Sequence, residues 1–255
     1  MCKRAIFLAL GVALGACAQQ NPPPPMPIEE ALAVTVSPAT GADSITVEVR
    51  NTSGKSITAF CVDVAWHYAT AQELPDGLCS DLALGLGADA VPEVTRNGPE
   101  KTFRPLENQT LRFIARRSAD GLQPTFATAT PSAAIFEDRT AIGNPRAVQT
   151  VVRLRKSGAA KLQELVQRLQ KVASDRDPRT ALQGQLSEVA RLQAQPGGTH
   201  ADAQQLRYLE TELKKMGDLL QLGREPLDKF LKVYVAQADF LTAHSVVTQQ
   251  GGGSQ

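Results

Sequence analysis

Few side chains in this 255-residue chain could do covalent or metal chemistry: four cysteines, three histidines and scattered acids. The densest grouping is Cys61, Asp63 and His67. A thiol beside an imidazole can act as a nucleophile when the base takes its proton and an acid orients the ring. The segment carrying them reads as a strand, because apolar residues alternate through Phe60, Val62, Val64, Trp66 and Tyr68. Residues 61 and 67 then share a face but lie about 20 Å apart, far beyond hydrogen-bond reach. These three residues alone cannot form a triad, and His67 is expected at an edge or on the surface. Cys61 has a better partner in Cys79. In an oxidising compartment the two cysteines of the chain's body are expected to pair. Closing that 18-residue span would stabilise the fold by roughly 3 kcal/mol in the chain-entropy model. The bridge would pin a turn-rich loop, Gln72–Gly77 around Pro75-Asp76-Gly77, onto the strand with Trp66.

Other chemistry is harder to find. His200 and His244 have no Cys, His or acid at metal-ligand spacing. Glu137 and Asp138 could bind calcium only in company, and adjacent acids in a turn are expected to be solvated. There is no Gly-rich phosphate loop, nucleophile elbow or His/acid metal motif. No catalytic residue, cofactor or metal is therefore expected. With 27 Lys/Arg against 26 Asp/Glu the chain is nearly neutral, which argues against a polyanion-binding protein, and no groove-reading motif points to nucleic acid. Nineteen Gly and 16 Pro are near globular averages, and the length suits two modest domains.

The first residues read as an export signal, 1–16. Lys3 and Arg4 precede an apolar run from Ala5 to Ala16, too short to span a bilayer. Its end, Leu14-Gly15-Ala16-Cys17, resembles the lipobox of bacterial lipoproteins. That resemblance implies that Cys17 becomes the mature N-terminus and carries lipid. The alternative is ordinary cleavage after Ala16-Cys17-Ala18, which discards Cys17. Two or more acyl chains anchor stably, each buried methylene contributing about 0.8 kcal/mol. Residues 17–30 form a proline-rich spacer, with Asn21-Pro22-Pro23-Pro24-Pro25-Met26-Pro27 extended as polyproline II.

Residues 31–144 read as an immunoglobulin-like β-sandwich. Strands are expected at Leu32–Ser37, Ser44–Arg50, Ser56–Tyr68, Leu78–Leu84, Thr110–Arg116 and Thr125–Phe136, with Ile45, Val47 and Val49 on one face. The cysteine spacing is not that of antibody domains. Phe136-Glu137-Asp138-Arg139-Thr140, followed by Gly143-Asn144, resembles a strand-to-helix junction of uncharacterised bacterial exported proteins, written FEDGT and then a Gly-Asp pair. Here Arg139 and Asn144 depart from that pattern, and the resemblance implies no activity. Asp138 suits a tight turn, and Asn144 with Pro145 suits a helix start.

Residues 145–244 change period and read as an antiparallel helical bundle of coiled-coil type. Leu162, Leu165, Leu169 and Val172 recur at helical spacing, with Gly158 a weak point. Asp177-Pro178 opens a second helix, which Pro196-Gly197-Gly198 ends. A third runs from Thr199 to Gly223, and Pro226 opens a fourth. Met216 and Tyr234 lie on the apolar stripes and are expected in the core. This region holds 16 Lys/Arg against 11 Asp/Glu, net +5, whereas 31–144 holds 9 against 13, net −4. Residues 245–255 are expected to be a disordered tail.

The fold class expected is thus α+β, as two segregated domains. The function expected is that of a lipid-anchored protein of the bacterial cell envelope, facing the periplasm or the cell surface. Its role would be non-enzymatic: binding, scaffolding or assembly, with a protein partner or a second copy meeting the helical domain, and the membrane held through lipid on Cys17. The alternatives are a periplasmic enzyme or inhibitor acting on envelope polymers, or a small-ligand carrier.

Overall fold

The structure is a computed structural model that describes residues 26–37, 44–82, 102–115, 117–195, 199–221 and 224–250. The export signal, Cys17, the spacer up to residue 25, the Pro196-Gly197-Gly198 break, Gly223 and residues 251–255 lie outside the described residues.

Period-2 patterning produces strands wherever one face can be buried. After a single-turn helix α1 (Ile28–Ala31) come β1 (Leu32–Ser37), β2 (Ser44–Asn51), β3 (Ile57–His67), β4 (Glu73–Asp81), β5 (Asn108–Ile114), β6 (Phe126–Phe136) and β7 (Thr140–Gly143). They form two sheets: β1-β2-β5, and β4-β3-β6-β7 with a last strand β8 (Thr248–Gln249) beside β7. All pairings are antiparallel except β7 with β8. Ile45, Val47 and Val49 of the first sheet and Phe60, Val62, Val64 and Trp66 of the second belong to one buried cluster. Fully burying each such side chain contributes about 1.5–3 kcal/mol. The sheets therefore pack face to face.

The second sheet has another face to cover. Ala59, Cys61, Ala133, Ile135 and Ala141 project from it against Val148 and Val151 of α2 (Pro145–Ser174). The side chain of Asn144 accepts a hydrogen bond from the Arg146 N–H, and Pro145, which needs no donor there, opens the helix. Helix α2 continues unbroken through Gly158 for 30 residues, about 45 Å. Its second half joins α3 (Pro178–Gln193), α4 (His200–Gln221) and α5 (Arg224–His244) around a separate apolar core. Asp177 caps α3 by accepting from the Arg179 and Thr180 N–H groups. Met216 and Tyr234 are buried in that core, as their spacing requires. No helix among the described residues is long and apolar enough to cross a membrane.

The fold is α+β, with a sheet region followed by a helical region, and it departs from expectation in four places. Strand β4 occupies Glu73–Asp81, where a loop was expected at Gln72–Gly77. Pro75 and Gly77 are tolerated because β4 is an edge strand with a ladder on one side only. The turn lies earlier, where the Tyr68 N–H donates to the Gln72 carbonyl and Ala71 takes φ 59°. Strand β7 was not expected, since four residues are too few to show alternation. Residues 245–250 are not a disordered tail: Ser245 is buried and β8 pairs with β7. Finally, the two regions are not independent, because α2 contributes to the cores of both.

Candidate functional site

Cys61 and Cys79 stand directly opposite each other on β3 and β4 and form a disulfide closing 18 residues. The bridge joins the edge strand to its neighbour beneath the start of α2. Asp63 and His67 follow Cys61 on the same face of β3, but beyond the cover of α2, and both are accessible. The imidazole of His67 makes no approach to Cys61. Instead it stacks on the Phe126 ring with centroids 4.3 Å apart, lies 3.2 Å from the Thr128 hydroxyl and 3.7 Å from the Glu73 carboxylate. Asp63 lies between Gly77 of β4 and Thr130 of β6. A Cβ at Gly77 would come within 3.2 Å of an Asp63 carboxylate oxygen, so the glycine leaves room for that side chain. The open half of the sheet is therefore floored by small residues, Ala65 and Gly77, with Phe126 standing at one corner.

The most demanding polar site was not anticipated. Arg155 is fully buried where α2 passes from the sheet to the helices. Its Nε donates to Asp81 at 2.8 Å, and one terminal nitrogen donates to the other Asp81 oxygen at 3.0 Å and to the Thr58 hydroxyl at 2.9 Å. The second terminal nitrogen donates to the His244 carbonyl at the end of α5, at 3.0 Å. One guanidinium thus ties β3, β4, α2 and α5 together. Buried charges are tolerated only when paired and hydrogen-bonded in this way. The sequence did carry a signal: Val148, Val151, Arg155, Ala159 and Leu162 step by three and four along one stripe, and an arginine there requires a buried acid.

A second buried polar group sits among the helices. The Glu212 carboxylate accepts from the Tyr234 hydroxyl and, at 2.7 Å, from the Lys215 ammonium. The Tyr208 hydroxyl is buried and makes no hydrogen bond among the described residues. Burial, then the nearby Glu212 charge, pushes the Tyr208 phenol above its ordinary range. Burial, the bond to Glu212 and that same charge do likewise to Tyr234. Both phenols are therefore held neutral, and of the two Tyr234 donates a hydrogen bond. Between α3 and α4 an open groove of about 670 Å³ has Leu182, Leu186, Gly217 and Leu220 along it, and exposed Arg179, Gln183, Lys214 and Asp218 at its margins.

Glu137 is exposed, and Asp138 closes the turn after β6. One Asp138 oxygen accepts from the N–H and hydroxyl of Thr140, and the other takes the Lys55 ammonium at 2.8 Å. Burial alone would raise its pKa, but these hydrogen bonds and the Lys55 charge hold the carboxyl down at about 2. Among the described residues no three His, Cys, Asp or Glu side chains are grouped to hold a metal ion. His244 stacks on Phe240 and bonds the carbonyl of that residue through Nδ1. Compared with protein-family models, curated proteins and solved structures, the chain matches none.

Proposed function

We propose that this protein is a lipid-anchored protein of the bacterial cell envelope with a non-enzymatic binding or assembly role, its helical region meeting a protein partner. The anchor rests on Leu14-Gly15-Ala16-Cys17, and the observation that supports a binding role is the Arg155 junction, which holds the helices against the sheets. A rigid body with an open, mixed apolar and polar groove on its helices is suited to presenting a surface rather than to enclosing a substrate. We further read the paired sheets as an immunoglobulin-like sandwich, supported by their shared core, and the helices as coiled-coil-type packing, supported by the three-and-four spacing of their apolar stripes.

Two measurements test the reading. Intact mass of the protein from a bacterial membrane fraction, alkylated without reduction, should show a diacylated or triacylated Cys17 and no alkylated thiol. A mass starting at Gln19 would overturn the anchor. A photo-crosslinking residue at Gln183, exposed beside the groove, should give one discrete protein adduct in cells that Leu186→Asp abolishes. Adducts absent, or unchanged by Leu186→Asp, would overturn the partner surface.

A further inference from the structure

Strands β3, β4 and β6 contain no lysine or arginine. On their outer face, the half that α2 leaves open consists of three cross-strand rows: Glu73–His67–Phe126, Pro75–Ala65–Thr128 and Gly77–Asp63–Thr130. All the acidic charge on these rows comes from Asp63 and Glu73, and the Asp63 side chain makes no hydrogen bond or ion pair among the described residues. Phe126 is 58 % exposed. His67 stacks on one face of the Phe126 ring, which helps to hold the ring in place while the residue stays exposed. A ring face carries negative potential and attracts cations, arginine above all because its flat guanidinium also stacks.

We propose that this open face receives an extended, arginine-bearing segment of a partner protein. Charge complementarity selects the occupant: the surface carries the unpaired Asp63 carboxylate, the Glu73 carboxylate beside His67, an exposed aromatic ring and no lysine or arginine. The spacing narrows it further. Phe126 and the row of Asp63 are separated by four residue steps along β6, about 13 Å. An extended segment places side chains four residues apart on one face at that same distance. One arginine of the segment stacks on Phe126 within reach of the Glu73 row, and a second, four residues along, pairs with Asp63. Ala65, in the row between them, is small enough for the segment's backbone to lie close to the sheet. This surface is distinct from the α3–α4 groove, so its failure would leave that reading standing.

The test uses the full-length chain and a fluorescent peptide, Gly-Arg-Thr-Val-Thr-Arg-Gly, followed by anisotropy at low salt and at 0.5 M salt. The expected result is saturable, salt-weakened binding. Asp63→Asn and Phe126→Ala should each weaken it about two- to fivefold, the range for an exposed ion pair and an exposed cation–π contact. Unchanged Trp66 fluorescence in both variants would show that the sheet core is intact. A peptide of the same composition with its arginines adjacent should bind more weakly than the spaced one. Equal binding of the two peptides, or of the wild type and both variants, would overturn the proposal. So would tighter binding of a glucosamine oligomer through the same residues, which would make the face a glycan site. Concentration-dependent dimerisation lost in Asp63→Asn would overturn it in favour of a second copy.

Discussion

Arg139 takes φ 66°, a left-handed conformation that a side chain bearing a Cβ resists by about 1–2 kcal/mol. Arg139→Gly should therefore raise stability, by about 0.5–1 kcal/mol once the glycine's extra freedom in the unfolded chain is counted. Gly143 four residues on is the opposite case. It takes φ 93°, and a Cβ would lie 2.3 Å from the Ser132 carbonyl oxygen and 2.9 Å from the Ala133 Cα. Gly143→Ala should cost about 2–4 kcal/mol in urea unfolding, since backbone rather than a pliant side chain must move. The turn at Asp138 also sets a pH dependence. Asp138 has a folded pKa of about 2, below its unfolded value of 3.8, so its contribution is present above pH 4 and lost as pH falls towards 2. Both partners of its ion pair are about half exposed, which limits the gain to under about 1 kcal/mol. The stability difference between wild type and Asp138→Asn should be flat from pH 5 to 7 and shrink between pH 4 and 2.

At the scale of elements, the α4–α5 contact contains one satisfied and one unsatisfied phenol. Tyr234→Phe strips a donor from the buried Glu212 carboxylate and should cost about 1–3 kcal/mol. Tyr208→Phe removes a buried hydroxyl that has no partner among the described residues and should raise stability by about 1 kcal/mol. Chemical denaturation followed by helical ellipticity checks both signs. The strands and helices whose pattern is long were legible in the sequence: β1 begins and ends where its alternation does, and α2 starts at the Asn144-Pro145 cap. What was missed has a local cause in each instance. Pro75 and Gly77 read as a turn because a sequence does not say which strand is at an edge, and only an edge tolerates both. Strand β7 and β8 are short segments that exist by pairing with each other and with β6, a long-range fact that no local period records.

For the whole molecule, Arg155 decides whether there are one or two cooperative units. The chain's single tryptophan, Trp66, lies in the sheet core, while far-ultraviolet ellipticity reports mainly the helices. In the wild type the two probes should give coincident unfolding curves. Arg155→Met leaves Asp81 buried without its counter-charge, should cost about 3–5 kcal/mol and should separate the curves. Adding Asp81→Leu should recover most of the loss and bring the curves back together, since an apolar pair can replace an ionic one. The candidate binding surfaces were less legible than this junction. The spacing of Cys61, Asp63 and His67 along one strand excludes a triad but says nothing of what else surrounds Asp63 and His67. Their actual neighbours, Phe126 and Glu73, come from other strands and could be found only once the register was known.

The return of the chain to β7 sets an order of events in folding. Gln249 bonds the Gly143 carbonyl across 106 residues, and closing a loop of that length from an open coil costs about 4 kcal/mol in (3/2)RT ln n. Two residues of parallel ladder cannot offset that by themselves. Once α2 and α5 are packed side by side, however, the end of α5 is already held beside Arg155, and only a few residues remain to be ordered. The helices therefore act as a template that delivers the last strand, and the sheet edge closes after they have assembled. The amide hydrogens of Thr248 and Gln250, which bond the carbonyls of Arg139 and Ala141, should consequently exchange with solvent at a rate governed by the integrity of the helices rather than by their own two bonds.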